Sequence, residues 1–305
     1  SSLNAYANES ERAAIENTTA QDEALKQSFE RDEFSKVIET LKPLKSKTPK
    51  QYNMLISALM NTDLDEAAEA ADVTLRLVGS AACRMCCDEA AYLFTALERE
   101  APGDLDFVGR RKQSHLIVQV MESLGYESDR GVMIASEGAR HIYQHRESGD
   151  VIDVFTDELD FNHKIVLTKR LDLTSPTLSP SDLLLSKLQI VEITLKDLKD
   201  AFVLLARNTV NASGEAKTIN ETYISETLAG DWGFYHTFTT NLQKLRERID
   251  SFVVDDAEKR TVDERVNALQ AAIEKVSKSM RWKLRAKIGI KTRWYQVVEE
   301  KGDTF

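Results

Sequence analysis

Three short stretches carry side chains whose types and spacing could bind and transfer phosphate groups. Asp104 and Asp106 alternate with Leu105 and Phe107, so on an extended strand both carboxylates face one side. Neighbouring carboxylates repel, a divalent cation relieves the repulsion, and hard oxygen ligands suit Mg²⁺ or Mn²⁺. Asp153 interrupts the apolar run Val151-Ile152-Asp153-Val154-Phe155. A charge on such a strand needs a cation or a hydrogen-bonding partner, and an Arg would serve as well as a metal. Upstream, Leu77-Val78-Gly79-Ser80-Ala81 reads as a strand running through a tight turn into a helix. Glycine lets the backbone approach a ligand, and the helix start offers unpaired N–H groups and a positive dipole end to an anion, to which Ser80 can add its hydroxyl. Each stretch also has an ordinary explanation: an N-cap, a solvated acidic loop, a salt-bridged strand residue.

Gly-Ser, Asp-x-Asp and a later strand Asp, in this order, resemble the polymerase-beta-like nucleotidyltransferase superfamily. Ser181-Asp182-Leu183-Leu184-Leu185-Ser186-Lys187-Leu188-Gln189, followed by Lys196-Asp197-Leu198-Lys199-Asp200, looks like the helical motif of the toxin-type nucleotidyltransferases of bacterial abortive-infection systems. The similarity runs from about residue 73 to 206. Asp231-Trp232-Gly233-Phe234-Tyr235 and Trp282-Lys283-Leu284-Arg285 are similar to stretches in uncharacterised members of that group. The resemblance implies catalytic, metal-binding carboxylates at Asp104, Asp106 and Asp153. It also implies a nucleotide site at Gly79, Ser80, Lys187 and Asp197, with Mg²⁺ or Mn²⁺ as cofactor and a nucleoside triphosphate as substrate. The implied reaction moves a nucleoside monophosphate to an acceptor hydroxyl, an RNA or tRNA 3′ end in the toxin-type enzymes, and the implied partner is an antitoxin protein. A small molecule of antibiotic type or a protein hydroxyl are alternative acceptors; a nuclease or phosphatase, and an inactive binding module of the same fold, are alternative functions. One departure from the pattern is the Ser80 to Asp104 gap, longer than is typical, so that the helix must extend or the intervening loop must bulge. Two residues have bland readings as well: Thr194 and Asp197 fit a capping pattern, and Lys187 could snorkel from an apolar helix.

The elements that must position these residues form an α+β arrangement: a small mixed nucleotidyltransferase sheet flanked by helices, followed by an all-α C-terminal domain. Strands are expected at Val73 to Val78, Leu105 to Val108, Val132 to Ala135, His141 to His145 and Val151 to Phe155, the last two joined as a hairpin by Glu147-Ser148-Gly149-Asp150. Helices are expected at Ser80 to Arg99 and Arg110 to Leu124. After Pro176 and Pro180 the pattern is wholly helical, over 182–193, 195–207, 220–229, 232–252 and 257–280. The expected domains are a helical arm over 1–50, with a helix at 22–44, a nucleotidyltransferase core domain over 51–178, and a helical domain over 179–305; a second helix is expected at 49–60, and the alternation of strands and helices begins at Val73.

Bulk properties set outer limits. The chain has 305 residues, 42% hydrophobic and 30% charged, which suits a globular core rather than disorder. No apolar run could cross a bilayer and no charged-then-apolar signal opens the sequence, so the expectation is a cytoplasmic protein without a membrane partner. Cys83, Cys86 and Cys87 are too close for a disulfide framework and read as small residues on a helix. The five histidines show no metal or nucleophile-base spacing, and His163 reads as structural. A net charge of −10 argues against nonspecific coating of nucleic acid. The segment Lys275 to Arg293 nevertheless interleaves Lys278, Arg281, Lys283, Arg285, Lys287 and Lys291 with Trp282, ahead of Trp294 and Tyr295. Such a segment can contact RNA phosphates and stack on bases, or pack against the acidic remainder with its tryptophans as anchors.

Overall fold

Apolar residues at every second position in the stretches around Leu77, Phe107 and Val154 make the strands that carry the Gly79 turn and the aspartates. The computed structural model describes residues 71–298 except 101, 103, 148 and 214–217, together with 64, 67 and 68. The chain divides into two units, Ser1–Ala67 and Ala68–Phe305, and the elements named here belong to the second. The helices expected over 22–44 and 49–60 lie outside the described residues.

The sheet half runs β1 (Leu75–Val78), α1 (Gly79–Cys86), α2 (Ala91–Ala96), β2 (Leu105–Gly109), α3 (Ser114–Ser123), β3 (Tyr126–Ser128), α4 (Arg130–Ala135), β4 (Arg140–His145) and β5 (Val151–Thr156). A small hairpin follows, β6 (Glu158–Asp160) with β7 (Lys164–Val166), then α5 (Pro180–Leu188) and α6 (Leu195–Arg207). The remainder is β8 (Thr209–Asn211), β9 (Thr218–Asn220), α7 (Glu221–Gly230), α8 (Trp232–Arg248), α9 (Asp256–Lys275) and α10 (Met280–Ile288). The fold is therefore mixed α+β, around a five-stranded mixed sheet of order β1-β2-β5-β4-β3 in which only β2 and β5 pair in parallel.

The free edge of β1 is sealed by the chain entering α5: Leu77 N donates to Pro176 O at 2.9 Å and Leu178 N to Leu77 O at 3.0 Å. That contact draws α5 beside the start of α1. Ser179 caps α5, Pro180 supplies its first turn, and every residue of the helix is buried. Its far end is satisfied by Asn241 of α8, which donates to Leu188 O and Ile190 O at 3.0 and 2.7 Å. Both α5 and α6 pack on α1, and α9 packs on α6 and α7. Residue 178, the expected domain boundary, thus falls inside one compact unit.

Several expected elements differ. Residues 130–135 form a helix rather than a strand, because Asp129 Oδ1 accepts Val132 N at 3.0 Å and caps the turn, leaving Ile134 exposed. The edge strand is instead Tyr126–Ser128. The helix expected over 80–99 stops at Cys86 and resumes, after a 3₁₀ turn, as α2. The helix expected over 257–280 ends at Lys275, and a further helix, α10, starts at Met280. The C-terminal part is not all-α: β8 and β9 form a parallel pair between α6 and α7. Three-residue strands are too short to show a period.

Candidate functional site

Parallel pairing of β2 with β5 sets Asp106 opposite Asp153. Antiparallel pairing of β1 with β2 sets Val78, the residue before the turn, opposite Asp106. Strand alternation therefore puts both carboxylates on one face, beside the turn. Gly79 has φ of +76°, and a Cβ there would stand 2.8 Å from Asp106 Oδ2, so glycine is needed for conformation and for clearance. The helix that begins there has no side-chain N-cap and no acid in its first turn, which leaves its positive end beside Asp106.

Asp104 precedes β2 and is exposed; Asp106 and Asp153 are half-buried. Burial pushes the Asp106 carboxyl up to about 7, reinforced by Asp104 and Asp153 and opposed by Lys187 and Arg140. Burial also raises Asp153, against the pull of Arg140. The partner found at Asp153 is the arginine that the sequence offered as the alternative to a metal, and Arg140 is that residue. Its Nε donates to Asp153 Oδ1 and Oδ2 at 3.1 and 2.8 Å, and its Nη2 donates to Oδ2 as well. Among the described residues no three His, Cys, Asp or Glu side chains are gathered as a ready metal site, and the Asp153 oxygens are turned to Arg140. The donors are of the kind that suits a hard divalent ion: Asp106 lies against the helix start, in register with Asp153 and in the field of Asp104, and burial and these acidic neighbours drive it toward protonation.

The remaining expected residues meet in a second cluster, joined to the first through the Gly79-Ser80 peptide. Lys187 Nζ lies 3.1 Å from Ser80 Oγ, 3.0 Å from Asp197 Oδ1 and 2.9 Å from Asp200 Oδ2. Ser80 Oγ donates to Asp200 Oδ2 at 2.9 Å. Arg99, which nothing in the sequence singled out, donates to Asp200 through Nε at 2.8 Å and Nη2 at 3.1 Å, and to Ser80 Oγ at 2.6 Å. The break after Cys86 and the second helix α2 take up the long Ser80 to Asp104 gap, and the residues after α2 bring Arg99 back to Ser80. Burial works against the Lys187 charge, but Asp200 and Asp197 hold its pKa above the usual range. Asp197 is the cap that the pattern indicated, completing a capping box with Thr194, and it also pairs with Lys187; burial is outweighed by Lys187 and Thr194, which keep its carboxyl low. All three Lys187 donors are taken within the chain, so at the first cluster Lys187 acts through its field on Asp106.

No family model, curated protein or solved structure matches the chain.

In the basic C-terminal segment the aromatic members serve packing. Trp282 Nε1 donates to Leu228 O at 3.2 Å, Trp294 Nε1 to Thr237 Oγ1 at 3.0 Å, and the Arg285 guanidinium sits 4.7 Å from the Trp232 ring centre. Arg281, Lys283, Lys287, Lys291 and Arg293 are exposed. His163 lies parallel to Phe234 with ring centres 5.0 Å apart and meets Thr237 Oγ1 at 2.8 Å; burial lowers its pKa to about 4, a structural histidine. Cys83 and Cys87 are buried on the inner face of α1 and just after it. No helix among the described residues is long and apolar enough to cross a membrane.

Proposed function

We propose that this chain is a metal-dependent nucleotidyltransferase, moving a nucleoside monophosphate from a nucleoside triphosphate to an acceptor hydroxyl. The observation that carries the reading is Asp106 in register with Asp153 while the Gly79 turn closes on Asp106 to the limit of backbone clearance. Asp104, Asp106 and Asp153 are the residues that would hold Mg²⁺ or Mn²⁺, whose chemistry when bound is to neutralise phosphate charge and lower the pKa of a coordinated hydroxyl. The N–H groups at the start of α1 receive triphosphate oxygens. Lys187, fixed by Asp197 and Asp200, keeps a positive field at Asp106, and Arg99 fixes Ser80 and Asp200. Catalysis in this arrangement comes from positioning and charge neutralisation more than from proton transfer by a side chain.

The acceptor we propose is RNA, with a tRNA 3′ end as the toxin-type resemblance implies. The exposed lysines and arginines of the C-terminal segment supply phosphate contacts, with stacking left out because the tryptophans are engaged. An antitoxin protein and a cytoplasmic location belong to the same reading. The test is incubation with α-labelled nucleoside triphosphates, Mn²⁺ and either total RNA or total protein. Label on RNA is expected, and Asp104→Ala should abolish it with an unchanged circular dichroism spectrum. Wild-type labelling by that variant would remove the carboxylate from the reaction, and label on protein would replace the acceptor.

A further inference from the structure

Two arginines bind aspartates at the paired clusters, and their settings differ. Arg99 has a side chain only 5% exposed, and its guanidinium is divided among Asp200, Ser80 Oγ and the Glu100 carbonyl. It is built in. The Arg140 side chain is 42% exposed, against 13% for its partner Asp153. Among the described residues its guanidinium hydrogen-bonds to Asp153 alone, and it lies 5.5 Å from the Phe155 ring centre. The strand register explains the approach: Ile142 pairs with Asp153 and Arg140 with Phe155, two pairs along and on the same face, so Arg140 reaches Asp153 diagonally across the site face. The aspartate is fixed on a central strand, whereas the arginine comes in from solvent and can return to it.

We propose that Arg140 is a positioning residue that stands in for the divalent cation at Asp153: it neutralises the carboxylate in the resting site, yields both oxygens when the metal and triphosphate enter, and turns its guanidinium to the triphosphate. This rests on the nucleotidyltransferase reading. Both oxygens that Arg140 occupies are ones a metal would need, and a guanidinium fork matches a carboxylate and a phosphate equally well. Exchange between the two partners therefore costs the arginine little geometry. Loss of its charge would leave Asp106 and Asp153 with one fewer compensating cation, which increases their demand for a metal.

The test is Mn²⁺ binding followed by electron paramagnetic resonance, with and without a nonhydrolysable triphosphate, on the wild type, Arg140→Gln and Arg140→Lys. Arg140→Gln should bind Mn²⁺ alone about tenfold more tightly than wild type, and should bind the triphosphate about tenfold more weakly once Mn²⁺ is saturating. Arg140→Lys should fall between on both counts, and serves as the test if the Gln variant does not fold. A merely structural arginine would move neither affinity, or both in the same direction. Equal Mn²⁺ affinity in wild type and variants, with triphosphate bound by all, overturns the role of Arg140 and leaves the enzyme reading standing. Absence of Mn²⁺ binding from every protein, with and without triphosphate, overturns both.

Discussion

Asp106→Asn should make the metal-free protein more stable at neutral pH while destroying its proposed activity. The Asp106 carboxyl stands at about 7 in the folded chain against 3.8 when unperturbed. A group whose folded pKa is raised binds its proton more tightly in the native state, so its contribution to stability falls as pH rises from the unfolded value to the folded one. A separation of about 3 units at about 1.36 kcal/mol each sets a ceiling of about 4 kcal/mol. Because the residue is only half-buried, solvent screening reduces the expected gain to about 1–2 kcal/mol. For a unit of this size that raises Tm by about 2–8 °C. The gain should be small near pH ~4, grow through the acid range and be complete above pH ~7. Calorimetry of wild type and variant across that range, with a chelator present, reads it directly. Mn²⁺ should then stabilise the wild type and not the variant. An equal gain at every pH, or a Tm at pH ~8 no higher than wild type, would refute the claim that Asp106 carries uncompensated charge.

Gly79→Ala forces a left-handed residue to carry a Cβ against Asp106 Oδ2. It should cost about 1–2 kcal/mol for the backbone, plus whatever Asp106 loses in moving, and should abolish transfer; wild-type transfer would separate the turn from the carboxylates. Arg99→Ala leaves the buried Asp200 with Lys187 and Ser80 alone. Urea unfolding should show a loss of about 3 kcal/mol, the low end for breaking a buried pair, and an unchanged midpoint would mean that Arg99 adds nothing to Asp200.

What was legible in the sequence followed from period and capping. The alternation around Phe107 and Val154 marked β2 and β5, and α6 begins and ends where Thr194, Asp197 and Arg207 indicate. The apolar triplet Val132-Met133-Ile134 misled because it looks like a strand core, while a single Asp129 side chain decides for a helix. The convergence of Asp106 on Gly79 and of Lys187 on Ser80 depends on which strands pair and on α5 being tied to the edge of β1. No local signal encodes that. Arg140 was half-readable: once the hairpin through Gly149 is granted, it falls on the Asp153 side of the sheet. Arg99 was not, because its place depends on a helix that breaks at Cys87 and a loop that returns to Ser80.

The most direct measurement is a crystal structure with Mn²⁺ and a nonhydrolysable nucleoside triphosphate, using the anomalous signal of the metal. Expected is Mn²⁺ between Asp104, Asp106 and Asp153, with the triphosphate at the start of α1 and Arg140 released from Asp153. Triphosphate bound elsewhere, or Asp153 still held by Arg140 with no metal at the carboxylates, would contradict the proposed site.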